Sequence, residues 1–260
     1  MTVDPPRIWW CPTGPLMFLP IHAAGLYNES GPGFKISDYV TSSYTPSLTV
    51  MLEKSQHSQS SFHGLLGVSQ ERTPGQPRLP HAEKELTSVD KFGSRLNMHR
   101  LPGELATVES VVEGMGKCSW VHLACHGTQD MAEPLHSAFL LHDGKLTLSK
   151  IITKSFPHAD FAFLSACQTA TGVDNLSEEA VHLAAGMLAA GYRSVIATMW
   201  SIRDQDGPVI ANEVYRRLTE GTLDSTRAAH ALHHAVIHLR EQLGESSSFP
   251  SWVPFIHVGM

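Results

Sequence analysis

Short apolar runs and helical periodicities alternate along most of the 260-residue chain. Residues 160–165 and 194–199 are nearly continuous apolar runs of strand length, the pattern of strands buried on both faces of a parallel sheet. Residues 8–11 read as a strand stopped by Pro12, residues 38–44 are rich in β-branched and aromatic types and end at Pro46, and residues 62–69 and 120–125 are further strands. Residues 16–24 read as a turn leading into a short apolar segment. Between these runs, 47–54, 81–96, 107–115, 178–190, 208–218 and 225–243 carry helical spacing, with Ser47 placed to cap the first and Gly191 to close 178–190. Segments 138–141 and 145–148 flank His142-Asp-Gly144, and Asp-Gly supplies the positive φ of a tight hairpin turn. The polar run 55–61 and the segment 71–80, with Pro74, Gly75, Pro77 and Pro80, read as loops. Strands alternating with helices predict an α/β/α sandwich around a mostly parallel sheet.

Composition narrows the function classes. Hydrophobic residues make up 42% of the chain, enough for a packed core, so disorder is excluded as the dominant state. Nineteen Lys and Arg against 25 Asp and Glu give a net charge of −6, which leaves no basic field for a phosphate backbone, so no nucleic-acid partner is expected. Charged residues total 17%, below the roughly 25% of an average chain, which points to neutral surface docked against a partner. The longest apolar stretch, 181–200, is interrupted by His182, Arg193 and Ser194, and the N-terminal region is cut by prolines. No membrane span or leader is read, and a cytoplasmic protein is expected. Four cysteines at irregular spacing read as thiols, not as a disulfide scaffold.

In parallel sheets the reactive site lies at the carboxyl ends of the strands. Two strands end in reactive residues: 121–125 runs into His126-Gly127, and 161–165 runs into Ala166-Cys167. A thiolate nucleophile, a histidine to handle protons and backbone donors for an oxyanion are what a cysteine peptidase needs. Gly127 leaves its N–H open to such an oxyanion, and the small residues around Cys167 let a substrate backbone approach. The separation of about 40 residues resembles a caspase His-to-Cys interval. A cysteine after a buried strand is also commonly a packing residue. Cys118, His122, Cys125 and His126 have zinc-ligand chemistry, but strand alternation turns His122 and His126 one way and Cys125 the other. His230, His234 and His238, with His233 beside them, form a stripe expected to face solvent or a partner, and no metal is expected there.

The motifs Trp120-Val-His-Leu-Ala-Cys-His-Gly127, Phe139-Leu-Leu-His-Asp-Gly-Lys-Leu-Thr-Leu148, Phe163-Leu-Ser-Ala-Cys-Gln-Thr-Ala-Thr-Gly172 and Met199-Trp-Ser-Ile-Arg-Asp204 together resemble the CHAT domain, a family of the caspase and separase type of cysteine peptidase. The resemblance extends upstream through Leu19-Pro20, Tyr44-Thr-Pro-Ser47 and His81-Ala-Glu-Lys-Glu85, and downstream to Trp252-Val-Pro-Phe-Ile-His-Val-Gly259. It implies a caspase-like α/β/α unit of two lobes, 1–115 and 116–260, the second carrying a His126/Cys167 dyad with Gly127 and Cys167 N–H groups as oxyanion donors. No metal or organic cofactor is implied. Relatives often accept a basic residue before the cut bond, which would call on an acid among Asp130, Glu133, Asp174 and Asp204. Asp204 can equally serve as a structural hydrogen-bond acceptor after its strand. Ser165 stands where the metacaspase branch carries an acid two residues before its cysteine, which places it among the substrate-binding candidates and departs from that branch. By resemblance the partners are a protein substrate and a regulatory protein or helical-repeat region, in immune or cell-death signalling. The competing reading is a catalytically silent CHAT module that serves as a protein-binding scaffold.

Overall fold

The computed structural model describes residues 4–29, 31–55, 61–128, 130, 132–165, 167–168, 179–244 and 249–260. In chain order the elements are β1 (Arg7–Trp10), β2 (Thr41–Tyr44), α1 (Leu48–Ser55), β3 (Leu65–Ser69), α2 (Ala82–Asp90), α3 (Gly93–Leu96) and β4 (Met98–Pro102). There follow α4 (Val108–Lys117), β5 (Trp120–Ala124), β6 (His126–Thr128), β7 (Ala138–Leu140), β8 (Lys145–Thr147), α5 (Leu148–Ile152), β9 (Phe161–Leu164) and β10 (Cys167–Gln168). The chain closes with α6 (Glu179–Ala189), β11 (Ser194–Thr198), α7 (Gly207–Leu218), α8 (Ala228–Leu243), α9 (Phe249–Trp252) and β12 (Phe255–Gly259).

The apolar runs pair into one eight-stranded sheet of order β1-β2-β12-β11-β9-β5-β3-β4, parallel throughout except where β12 runs against β11. A smaller sheet, β10-β6-β7-β8, stands at the carboxyl ends of β5 and β9 and contains the predicted hairpin. Strands β5, β9 and β11 are buried along their whole length, as continuous apolar runs require. Helices cover both faces. Val111 and Met115 of α4 and Met187 and Leu188 of α6 belong to one core, while Val89 of α2, Val214 of α7 and Leu232 of α8 belong to the other. Residues 1–115 supply both edges of the large sheet, and 116–260 fill its middle with β5, β9, β11 and β12.

Local chemistry sets the ends of the elements. Thr107 Oγ1 accepts from the Ser110 N–H at 3.2 Å while Ser110 Oγ accepts from the Thr107 N–H at 3.1 Å, a reciprocal cap that starts α4. The turn after α6 closes at Gly191, whose φ of +114° only glycine adopts without strain. Several expectations are corrected. The helix read over 81–96 is two helices, α2 and α3, and Asn97 in the left-handed region releases the chain into β4. The strand read over 62–69 begins at Leu65, because the Gly64 carbonyl turns to accept from the Ser119 and Trp120 N–H groups at 3.1 Å each. Strands β4 and β12 were not read from the pattern. The histidine stripe of α8 is divided: His230 Nε2 donates to the Pro5 carbonyl at 3.1 Å and His234 Nε2 lies 2.7 Å from Asp4 Oδ1, both on the chain's own N-terminal segment, while His238 is exposed beside Gln242, as expected of a solvent-facing stripe. Among the described residues no helix is long and apolar enough to cross a membrane.

Candidate active site

β5 and β9 are in-register parallel neighbours, with Trp120 opposite Phe161 and Leu123 opposite Leu164. Their extensions, β6 and β10, keep that adjacency: Cys167 pairs with His126 and Gln168 with Gly127. Paired residues on adjacent strands are separated by one interstrand spacing, about 4.8 Å. Two residues about 40 positions apart in sequence thus become backbone neighbours, because each terminates a buried strand of the same sheet. Gly127 also faces Phe139 of β7, so it lies between two strands.

His126 is 2% exposed, and its Nε2 sits 2.8 Å from the Pro77 carbonyl oxygen. A carbonyl only accepts, so Nε2 carries the proton and Nδ1 is the basic nitrogen of the neutral ring. The ring is oriented by a backbone oxygen from segment 71–80. That segment is itself held: the Gln70 N–H donates to the Ala124 carbonyl at 2.9 Å, the Leu79 N–H donates to the Glu71 carbonyl at 2.9 Å, and Arg78 pairs with Glu71. At its far end, Asp204 Oδ2 accepts from the His81 N–H at 2.8 Å and lies 2.7 Å from His81 Nδ1.

Beneath the strand ends lies a buried polar centre. Glu85 of α2, 3% exposed, has Oε1 2.9 Å from His122 Nε2 and accepts the Ser165 hydroxyl on Oε2 at 3.0 Å. His122 Nδ1 is 3.2 Å from the Tyr215 hydroxyl, and the ring stacks on Phe163 with centroids 4.6 Å apart. Burial, and then the nearby Glu85, hold the Tyr215 hydroxyl well above the usual phenol range, so it remains a donor. An added Cβ on Gly207 would lie 2.6 Å from Glu85 Oε2, so a larger residue at the start of α7 would have to push this carboxylate aside. One carboxyl group is therefore bonded to both strand ends that lead to His126 and Cys167, through His122 on β5 and Ser165 just past β9.

The other predicted site residues are distributed as follows. Ser165 is 5% exposed and its hydroxyl turns inward to Glu85, so it is a structural tether and does not face a substrate. Asp204 anchors His81, the structural role its position allows. Asp130 follows β6; its Oδ1 accepts from the Ala132 and Glu133 N–H groups at 3.1 and 2.9 Å, and its partly exposed side chain has Oδ2 3.9 Å from His136. Glu133 is exposed, and Asp174 lies outside the described residues. Of the residues with zinc-ligand chemistry, Cys125 lies in the core on one face of the sheet, while His122 meets Tyr215 and Phe163 on the other. Burial pushes the Cys118 thiol up, away from reactivity. Among the described residues no cluster of His, Cys, Asp and Glu is arranged to hold a metal.

Sequence reasoning missed Pro77, which contributes a backbone atom, and Glu85. A signal for Glu85 existed: it shares a helix face with the buried Ala82, Leu86 and Val89.

The sequence matches the CHAT domain family over residues 2–260. The chain belongs to that family. Among solved structures, the CHAT chain is similar to the Arg-specific cysteine proteinase gingipain R (RgpB), at 11% identity and a TM-score of 0.56, over 85% of this chain and 54% of that one. It matches the complex of Porphyromonas gingivalis RgpB pro- and mature domains at 12% identity and a TM-score of 0.56, over 85% of this chain and 55% of that one. It also matches the Saccharomyces cerevisiae separase–securin complex at 14% identity and a TM-score of 0.56, over 85% of this chain but 14% of that one. The CHAT chain thus spans about half the gingipain chains or less of its other neighbour. No curated protein sequence matches it. These likenesses establish a caspase-like α/β fold.

Proposed function

We propose that this CHAT protein is a cysteine endopeptidase that cuts a particular protein through His126 and Cys167. The observation that carries the reading is the strand register that pairs Cys167 with His126 at the carboxyl ends of two adjacent parallel strands. The Cys167 thiolate attacks the scissile carbonyl, forming a C–S bond as the carbonyl oxygen becomes an oxyanion. The Gly127 and Cys167 N–H groups stabilise that oxyanion. His126, oriented by Pro77, takes the thiol proton and delivers it to the leaving amine, and water then releases the acyl group from sulfur. Asp130, partly exposed and just past β6, is the described acid that could favour a basic residue before the cut bond. A regulatory partner or sensor region gates the enzyme in immune or cell-death signalling. The low charge content and the exposure of Leu16, Leu19, Leu26 and Leu48, each 53% or more, support a docked surface.

The test is a peptide library diverse at the residue before the scissile bond, offered to wild type and to Cys167→Ala. Cleavage by wild type alone establishes the peptidase and its preference; equal cleavage by both removes Cys167 from the mechanism. Selective alkylation of Cys167 over Cys11, Cys118 and Cys125 is expected of an activated thiol, and its absence in a protein that cleaves nothing supports the silent module.

A further inference from the structure

A second site, independent of the peptidase reading, lies where α8 crosses the β2–β12 side of the large sheet. β12 stands three strand positions from β5, so this region does not share the dyad's residues. A cleft with about 490 Å³ of space, counting its open mouth, runs between the helix and the strands. Its walls are largely apolar: Leu232, Val236 and Ile237 present one face of α8, with Trp252 and Phe255 opposite.

At one end of this cleft sits Arg240, 8% exposed. Its Nε has no hydrogen-bond partner, and among the described residues no carboxylate lies within ion-pair distance of its guanidinium. The group rests over the Trp252 ring, 4.7 Å from the centroid, and the Trp252 Nε1–H is likewise buried without a partner. A buried arginine with no anion is costly, and the usual remedy is a paired carboxylate. The acids near the outer mouth do not supply it. Asp38 Oδ2 already accepts from the Gly33, Phe34 and Lys35 N–H groups at 2.8 to 3.1 Å, and Glu241 is exposed, one residue and so about 100° further round the helix.

The remaining titratable groups lining the cleft add no charge of their own. His22 donates from Nε2 to the Val253 carbonyl at 2.8 Å, with Nδ1 2.8 Å from the Tyr44 hydroxyl. His257 Nε2 is 2.8 Å from the Ser194 hydroxyl, and its Nδ1 faces Arg7 and Ser43. Burial holds His22 and His233 down to about 4 and His257 well below the usual imidazole range. The cleft therefore offers apolar walls, one cation and one indole donor.

We propose that this cleft binds a slender apolar molecule ending in a single carboxylate, with the carboxylate on the Arg240 guanidinium and the Trp252 Nε1–H and the chain along Val236 and Ile237. The planar fork of arginine matches a carboxylate with two parallel hydrogen bonds, and a single free cation suits a single negative charge. Lys35 does not line this cleft; at the outer mouth it sits over the Tyr27 ring at 5.8 Å.

The experiment titrates the full chain with decanoate, 1-decanol and acetate by calorimetry, all below micelle-forming concentrations. Saturable decanoate binding at one site is expected, with decanol at least tenfold weaker and acetate showing no binding. Arg240→Leu should bring decanoate down to the decanol level, and Val236→Trp, on the half-buried wall, should block both. Equal affinity for decanoate and decanol in wild type, no saturable binding, or unchanged decanoate affinity in folded Arg240→Leu would each overturn the proposal. The wild-type comparison and Val236→Trp decide the matter even if Arg240→Leu does not fold.

Discussion

Glu85 and Arg240 are buried to a similar degree, 3% and 8% exposed, yet the two regions of the molecule surround them in opposite ways. Glu85 has a hydrogen-bonding group on each oxygen, and those groups belong to the two strand ends that lead to His126 and Cys167. Arg240 has an indole face beneath it and an Nε with no partner. A buried polar group that is fully bonded locks the elements it touches into one arrangement, whereas the Arg240 Nε, unbonded among the described residues, leaves a donor open to the ligand we propose. The first arrangement suits a catalytic centre that must not shift. The second suits a site completed by a ligand.

Four results would break or sharpen this contrast. The largest effect is expected at the dyad, where His126→Ala should lower kcat/KM on a cleaved peptide by about 10²–10⁴-fold with little change in Tm. A variant that loses activity only by unfolding would show that the histidine supports the fold instead. Next comes a stability comparison. Glu85→Ala leaves His122 and Ser165 with buried orphan groups, at roughly 3 kcal/mol in total, so Tm in a melting experiment should fall by about 6–12 °C, and Glu85→Gln should fall less. Arg240→Leu should leave Tm unchanged or raise it, because it removes a charge that has no partner. Equal losses for Glu85→Ala and Arg240→Leu would end the contrast.

The third result concerns pH. His22 and His233 are held neutral by burial, with folded pKa values of about 4 against an ordinary 6.5. Between those values the unfolded chain binds more protons than the folded one, so stability is fully present above pH 6.5 and is lost as pH falls towards 4. His233→Leu should remove its share of that loss, about 2 kcal/mol between pH 7 and pH 4, measured by denaturant melts. An identical pH slope in the variant would show that His233 is more exposed to water in solution. The smallest effect is expected at Asp204→Ala, which frees the His81 N–H at a cost of about 1 kcal/mol. Because His81 anchors the segment that presents Pro77 to His126, a several-fold fall in kcat with little change in KM should accompany it.

Residues differed in how far their pattern revealed them. The continuous apolar runs of β5, β9 and β11 announced buried parallel strands, and the two that end in His126 and Cys167 pointed to the site. β4 escaped because an edge strand mixes exposed His99 and half-buried Arg100 with its apolar residues and shows no buried run. β12 escaped for a different reason: Phe-Ile-His-Val is short, and its place between β2 and β11 depends on pairing across most of the chain. Ser165 was read as a substrate-binding candidate because it stands where the metacaspase branch carries an acid two residues before its cysteine, but its hydroxyl turns inward to Glu85, on a helix that only tertiary packing brings there.

The amino-acid sequence by itself determined the periodicities, the capping and turn residues and the reactive side chains at two strand ends, since each of these depends on neighbours a few positions away. It also carried the family motifs. The tertiary structure alone decided that Cys167 pairs with His126, that a Pro77 carbonyl selects the histidine tautomer, and that Glu85 is satisfied while Arg240 is not. Those outcomes depend on distances between elements far apart in the chain, and a backbone carbonyl has no residue type to announce it.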